Sequence, residues 1–417
     1  MQSGRRAPLR RPCFLDRDAM TDMPIQDARP ASPPLSRPGL LFAALGLAGL
    51  ALPLVQFKAN RIVLGEGVLL GNAIGPLGWG LTALLALALL AGISGRLPFG
   101  LRLVLGAGGV VAALLALGAA ARFLTPEGNT VARVAPSSGF WLLFLAFALM
   151  ATDALSRMRL TLAQRWLLLG AAIVVIGGVL WSGWLDGVSV MREYEARKDL
   201  FWREAGRHLV LAFGSLGGAL LVGLPIGTAI YLLPRLRRPV LGVLNILQTI
   251  PSLALFGIMI PIFGWIAANL PGAAALGIAG IGLFPALVAL FLYSLLPVVS
   301  NTLVGLRGVP PAARDAAFGL GMTEGQVLRG VLFPLALPVI LTAVRIVLVQ
   351  NIGLAVIAGL IGGGGFGTFV FQGLNQTAMD LVLLGALPTI ALALIAGIAL
   401  DLLVEALDQP RTERTDA

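Results

Sequence analysis

Residues 334–359 read PLALPVILTAVRIVLVQNIGLAVIAG, a run with one charged side chain, Arg345, and no acid. About twenty apolar residues in helical form are enough to cross the hydrocarbon core of a bilayer. The run does not alternate polar and apolar positions, so it is not a strand of a membrane barrel. It reads as a transmembrane helix, and its neighbours read the same way.

Working outward, we expect ten spans, near 39–57, 77–94, 99–121, 139–155, 165–185, 209–233, 239–263, 274–299, 334–359 and 380–404. Only 12% of the 417 residues are charged, and 58% are hydrophobic. Soluble domains carry about 25% charged residues. The mean hydropathy is +0.92. The expected fold is an all-α integral membrane protein. The 60–76 stretch carries Arg61 and Glu66 and is expected as an external loop.

Charge placement fixes the expected orientation. With the N-terminus inside, 20 Lys and Arg fall in cytoplasmic segments, nine outside, and Arg345 within a span. This is the positive-inside bias, with both termini cytoplasmic. It also accounts for the net charge of +10 without nucleic acid. No basic stripe is interleaved with aromatics, as a nucleic-acid groove requires. One cysteine, Cys13, and one histidine, His208, leave no disulfide, no metal site and no cofactor to expect. His208 has no acid–base partner set and reads as a solvated or capping residue.

The chain divides at 186–208, DGVSVMREYEARKDLFWREAGRH, which carries five basic and five acidic residues. We expect a disordered cytoplasmic arm at 1–37 and an N-terminal five-helix bundle at 38–185. A polar external linker follows at 186–206, then a five-helix domain at 207–405 and a tail at 406–417. The spacing of Val190, Tyr194, Leu200 and Phe201 suggests a short amphipathic helix lying on the outer surface. The arm has no apolar segment followed by a cleavage site, and Met20 and Met23 are alternative starts.

Just upstream of the quoted run stands a polar hairpin, RDAAFGLGMTEGQVLRGVLFP at 314–334. Pro311 suits the first turn of a helix, and Gly319 and Gly321 end it. Thr323 with Gln326 three residues on reads as a capping box for a second helix. That second helix is expected to end before Pro334, which opens the next span. Ala312, Ala313, Ala316 and Ala317 give the first helix a small-residue face, and Arg314 and Asp315 give it a charged edge. A small face on a cytoplasmic loop is a docking surface.

The hairpin resembles the EAA loop of ABC-importer permeases. That pattern is Glu-Ala-Ala, three residues, Gly, nine residues, then Ile-x-Leu-Pro. Here stand Asp315, Ala316 and Ala317, then Gly321, then Val331, Leu332, Phe333 and Pro334, with the spacing complete. Three positions depart conservatively: Asp for Glu, Val for Ile, Phe for Leu. The stretches 245–264, 293–323 and 333–367 are similar to the osmoprotectant branch, which moves glycine betaine, choline and carnitine. The likeness covers about 207–405, and some members of the branch carry an N-terminal membrane extension.

The resemblance implies a type I permease core in a bacterial cytoplasmic membrane. It implies that Arg314, Asp315, Ala316, Ala317, Gly321 and Pro334 couple to a dimeric ATP-binding cassette subunit. It implies an extracytoplasmic substrate-binding protein, a second permease copy or paralogue, and a small quaternary ammonium substrate. A methionine or amino-acid permease is the alternative within the family. A membrane enzyme or an ion-coupled transporter is the alternative outside it. There is no G-x-x-x-x-G-K-[ST] run, so ATP hydrolysis is expected on another chain. Gly362, Gly364 and Gly367 match G-x-G-x-x-G but follow a membrane helix, so GGGGFG reads as an external turn.

Polar groups at membrane depth face protein or a wet cavity. Gln248, Thr249 and Pro251 interrupt the seventh span, where Pro251 predicts a kink. Gln350 and Asn351 lie in the ninth. These five are expected to line the translocation path, or else to be helix-packing hydrogen bonds. No aromatic cage for a quaternary ammonium group is legible.

Overall fold

The computed structural model describes residues 35–408 other than 61, 62, 64, 127 and 130. The expected disorder of the arm up to residue 34, Cys13 and the tail from 409 lie outside the described residues.

The chain is nearly all helix. In order come α1 (Arg37–Ala51), α2 (Leu70–Ala73), α3 (Gly78–Ile93), α4 (Phe99–Leu124), α5 (Ser138–Arg157) and α6 (Leu162–Trp181). The second unit contains α7 (Ser189–Ala196), α8 (Lys198–Leu209), α9 (Ser215–Leu232), α10 (Pro234–Thr249), α11 (Ser252–Asn269) and α12 (Leu283–Gly308). It closes with α13 (Pro311–Gly319), α14 (Glu324–Val327), α15 (Phe333–Leu354), α16 (Gly367–Asn375) and α17 (Met379–Asp408). Among the described residues, nine helices are long and apolar enough to cross a membrane.

Several expectations are corrected, and prolines and glycines explain most of them. The first span, expected over 39–57, is the 15-residue helix α1. Pro53 pushes Leu52 into an extended conformation, and the chain turns into a strand. The seventh span, expected as one kinked helix, is two helices. Ile250 is extended ahead of Pro251, so α10 stops and α11 starts anew. The eighth span sits later than expected. Gly277 and Gly282 take positive φ in the stretch that precedes α12.

The ninth helix does not begin at Pro334. It runs unbroken over Glu324–Leu354, with a π-helical turn at Leu328–Leu332 just before the proline. A wide turn absorbs the backbone bond that Pro334 cannot make. Likewise 186–208 is not an open linker. It forms α7 and α8, and α8 continues through a second π turn into α9, giving one helix over Lys198–Leu232.

The fold is not purely helical. A three-stranded antiparallel sheet, β2 (Glu66–Val68), β1 (Val55–Lys58) and β3 (Arg133–Pro136) in that order, caps the N-terminal unit. Its outermost strand lies within the stretch expected as a loop. Val134 of β3 also bridges to Val188, which ties the sheet to the start of α7.

In the second unit α12 is central, packed between α9 and α15. Gly223 and Gly227 let α9 approach closely: a Cβ at either would lie under 3.0 Å from Val298 or Thr302. Small residues at helix contacts are how membrane bundles gain van der Waals packing.

Candidate functional site

The hairpin forms as the residue chemistry dictates. Pro311 stands in the first turn of α13, and the helix gives way at Gly321, whose φ is +79°. A residue with a side chain is strained there. The capping box is present: the Gln326 N–H donates to Thr323 Oγ1 at 3.4 Å, and the Thr323 N–H donates to Gln326 Oε1 at 2.8 Å.

The alanine face is split, which corrects the expected single docking surface. Ala317 is buried against Leu306, Val309, Val327, Leu332, Ala336 and Ile340, and Ala313 packs on the same cluster. Residues 313 and 317 lie one turn apart and so share a face. The outward face carries Arg314, Asp315 and Ala316, with Phe318 38% and Leu320 83% exposed. The Arg314 guanidinium lies 5.5 Å from the Phe318 ring centroid. Pro334 is exposed on the helix that follows.

The five polar residues expected along a path fall in two places that share a level of α12. Gln248 Nε2 donates to the Tyr293 carbonyl at 2.9 Å, and the Tyr293 hydroxyl donates to the Ile250 carbonyl. These bonds pin the α10–α11 break to α12. Thr249 and Pro251 are exposed at that break, and Thr249 Oγ1 returns to the Ile246 carbonyl at 2.7 Å.

Asn351 sits next to the neighbouring residue of α12. It is fully buried, and its amide donates to Ser294 Oγ at 2.9 Å and to Ser215 Oγ at 2.8 Å. It therefore ties α15 to α12 and α9 in the manner of the packing alternative. Gln350 is half-buried beside it. Asn351→Leu is expected to lower stability by about 1 kcal/mol, which thermal unfolding in detergent checks.

The opposite end holds residues that sequence reasoning missed. Gly362, Gly364 and Gly365 all take positive φ, so GGGGFG is indeed a turn. Glu204 and His208, one turn apart on α8, reach it. Glu204 is buried and accepts from the Gly365 N–H at 2.8 Å and from Thr368 Oγ1 at 3.4 Å. Arg207 Nη1 donates to its other oxygen at 3.0 Å. The Phe366 N–H donates to His208 Nδ1 at 3.4 Å, which makes Nδ1 the acceptor nitrogen. His208 is fully buried, so of the two expected readings, solvated or capping, the solvated one is corrected, and its ring accepts a backbone N–H at the start of α16. The i, i+4 pairing of Glu204 with His208 was the available signal; the surrounding charges masked it.

Arg345, the charge in the opening run, pairs with Asp401 of α17. Among the described residues no cluster of His, Cys, Asp and Glu could hold a metal ion.

Comparison with known proteins gives two family matches along the chain. Residues 219–412 match the family described as binding-protein-dependent transport system inner membrane component. Residues 36–191 match the N-terminal domain of the ABC transporter permease YehY. The chain is 43% identical to the osmoprotectant import permease protein OsmW of Salmonella typhimurium, over 45% of this chain and 83% of that one. It is 36% identical to the carnitine transport permease protein OpuCB of Listeria monocytogenes, over 46% and 82%. It is 35% identical to the choline transport system permease protein OpuBB of Bacillus subtilis, over 45% and 79%. Among solved structures, an inward-facing MetNI methionine ABC transporter chain is 28% identical, covers 51% of this chain and 98% of its own length, and superposes with a TM-score of 0.44.

Proposed function

We propose, on the premise that this chain belongs to the family of binding-protein-dependent inner-membrane transport components, that it passes osmoprotectants such as glycine betaine, choline or carnitine into the cell. The chain is a permease subunit of an ABC transporter. The observation that carries the substrate reading is the 43% identity to an osmoprotectant import permease over most of that relative's length.

The hairpin at 311–327 receives a dimeric ATPase on its outward face, through Arg314, Asp315, Ala316 and Phe318. Ala317 and Gly321 serve the same contact indirectly: one seats α13 on the bundle, the other sets its turn. An extracytoplasmic binding protein delivers the substrate to the end that carries the glycine turn. Both termini are placed in the cytoplasm, a reading the arginine distribution supports. A second permease copy or a paralogue completes the pathway. Thr249 and Pro251, exposed at the α10–α11 break, and half-buried Gln350 are the residues we place along it. Asn351 and Gln248 hold the helices that frame it.

The test is purification of the intact chain from native membranes, followed by reconstitution with whatever ATPase accompanies it. An ATPase is expected to co-purify, and the complex is expected to take up radiolabelled glycine betaine or choline when ATP and the binding protein are supplied. Absence of any ATPase would overturn the coupling assignment. ATP-driven uptake of methionine with none of a quaternary ammonium compound would overturn the substrate.

A further inference from the structure

The permease relatives leave the N-terminal unit unexplained: 189 residues make up 83% of the OsmW chain, so it has no room for a second unit of this size. The structure shows where the extra unit takes hold. It reaches α17 at both ends.

At the glycine-turn end the attachment runs through α7. This helix has two occupied faces. Met191 packs on the core of the N-terminal unit, Val188 bridges to Val134 of the sheet, and Arg192 Nη1 donates to the Ala132 carbonyl at 2.8 Å. The other face carries Val190 and Tyr194, one turn apart. They pack on the cluster of Phe366, Phe369, Leu381 and Leu384 from α16, α17 and the turn before α16. Between the faces, fully buried Ser189 donates from Oγ to Asp380 Oδ1 at 2.6 Å. The expected surface helix is therefore a bracket between two units.

At the hairpin end α6 lies against α17, and an ion pair joins the two helices. Arg165, in the first turn of α6, lies 2.7 Å from Glu405, in the last turn of α17. Between Asp380 and Glu405 the helix rises about 38 Å, the thickness of a bilayer with part of its headgroups. Along that length α6 buries no residue of its own. α6 therefore holds α17 by surface contact and the ion pair, with no buried core between them.

We infer that α17 and the N-terminal unit move as one body during transport. The N-terminal unit is then a stator that holds α17, and the other core helices move against it when the ATPase closes. Apolar packing with a buried hydrogen bond at one end, and helix contact carrying a half-exposed ion pair at the other, constrain both position and tilt. One attachment alone would leave the helix free to pivot. This inference rests on the permease assignment.

The test uses the full chain with Cys13→Ser and two engineered pairs, each made separately. Ser189→Cys with Asp380→Cys, at positions whose side chains meet at 2.6 Å, is joined by oxidation or by a short bifunctional thiol reagent. Arg165→Cys with Glu405→Cys is joined by a bifunctional thiol reagent of ion-pair length. Two readouts are taken in reconstituted vesicles with the ATPase present. The first is cross-link yield with no nucleotide and with a non-hydrolysable ATP analogue, which needs no substrate. The second is glycine betaine uptake of joined against reduced protein.

The expected yields agree within about twofold between nucleotide states, and joining either pair changes uptake by less than about twofold. A yield that falls about tenfold in one state would overturn the inference. So would failure of either pair to join, or arrest of uptake that reductant reverses. Reduced protein that takes up no glycine betaine in any state would count against the substrate reading alone, since the yields would still decide the stator.

Discussion

Asp315→Lys combined with Gly321→Trp is expected to abolish capture of the ATPase and stop uptake, with the permease still present in the membrane at its usual level. The two changes attack the outward face by different means. Asp315 is exposed, and lysine there reverses the charge presented beside Arg314. Gly321 stands at φ +79° with nothing within 4 Å of the place a Cβ would take, so tryptophan is opposed by backbone conformation and not by a clash. A non-glycine residue there costs about 1–2 kcal/mol, and the chain escapes that cost by re-aiming the turn between α13 and α14. Loss of one interface anchor of about 2 kcal/mol already weakens binding roughly thirtyfold. The control is Ala317→Leu, which overfills the cluster under α13 and is expected to reduce the amount of folded permease. Co-purification of ATPase from membranes, normalised to permease, separates the two outcomes. Undiminished capture by the double variant would show that the ATPase sits elsewhere.

The hairpin was legible because its signals are local. Proline at the first turn, glycine at the left-handed position and the Thr323–Gln326 box each act within a few residues, and each formed as read. The membrane helices were legible from composition alone. The misreadings have a common origin in contacts between distant parts of the chain. Ala313 and Ala317 are as small as Ala312 and Ala316, and only the packing beneath α13 separates inward from outward. The strand at Glu66–Val68 is three residues long; its partner β1 lies earlier in the same connection, mostly within the stretch expected as the first span, and the third strand comes from the distant loop after α4. Pro251 announced an interruption, but local rules do not distinguish a kink from a full stop. The hydrogen bonds from Gln248 and Tyr293 that anchor the break come from residues 45 and 43 positions apart from their partners. The charged stretch 186–208 looked solvated because its charges outnumber its apolar residues. Its buried members are engaged by neighbours in space or along the helix: Glu193 by Arg197, Glu204 by Gly365, and His208 through Nδ1 by Phe366, while His208 Nε2 is buried without a partner among the described residues.

Glu204→Ala is expected to be the most damaging single change at the glycine-turn end. The carboxylate is buried and receives the Gly365 N–H, the Thr368 hydroxyl and the Arg207 guanidinium. Alanine removes the acceptor for all three. Leaving a buried donor unsatisfied costs about 1–3 kcal/mol, while the arginine, half-exposed, can turn to water and adds little. The net loss is about 2–3 kcal/mol, concentrated where three glycines at positive φ already hold the backbone in a conformation few residues tolerate. Glu204→Gln separates the contributions. Its amide oxygen can still accept from Gly365, but it brings a donor toward Arg207 and carries no charge, so an intermediate effect is expected. The order wild type, Gln, Ala should appear in thermal stability in detergent and in resistance of the 362–378 segment to protease added to the solubilised protein. If glutamine and alanine both behave as wild type, the turn is held by its own glycine geometry and by His208, and the carboxylate is incidental. If alanine unfolds the segment while the hairpin still captures the ATPase, the two ends of the permease are stabilised independently, and a loss of uptake would then reflect the glycine-turn end alone.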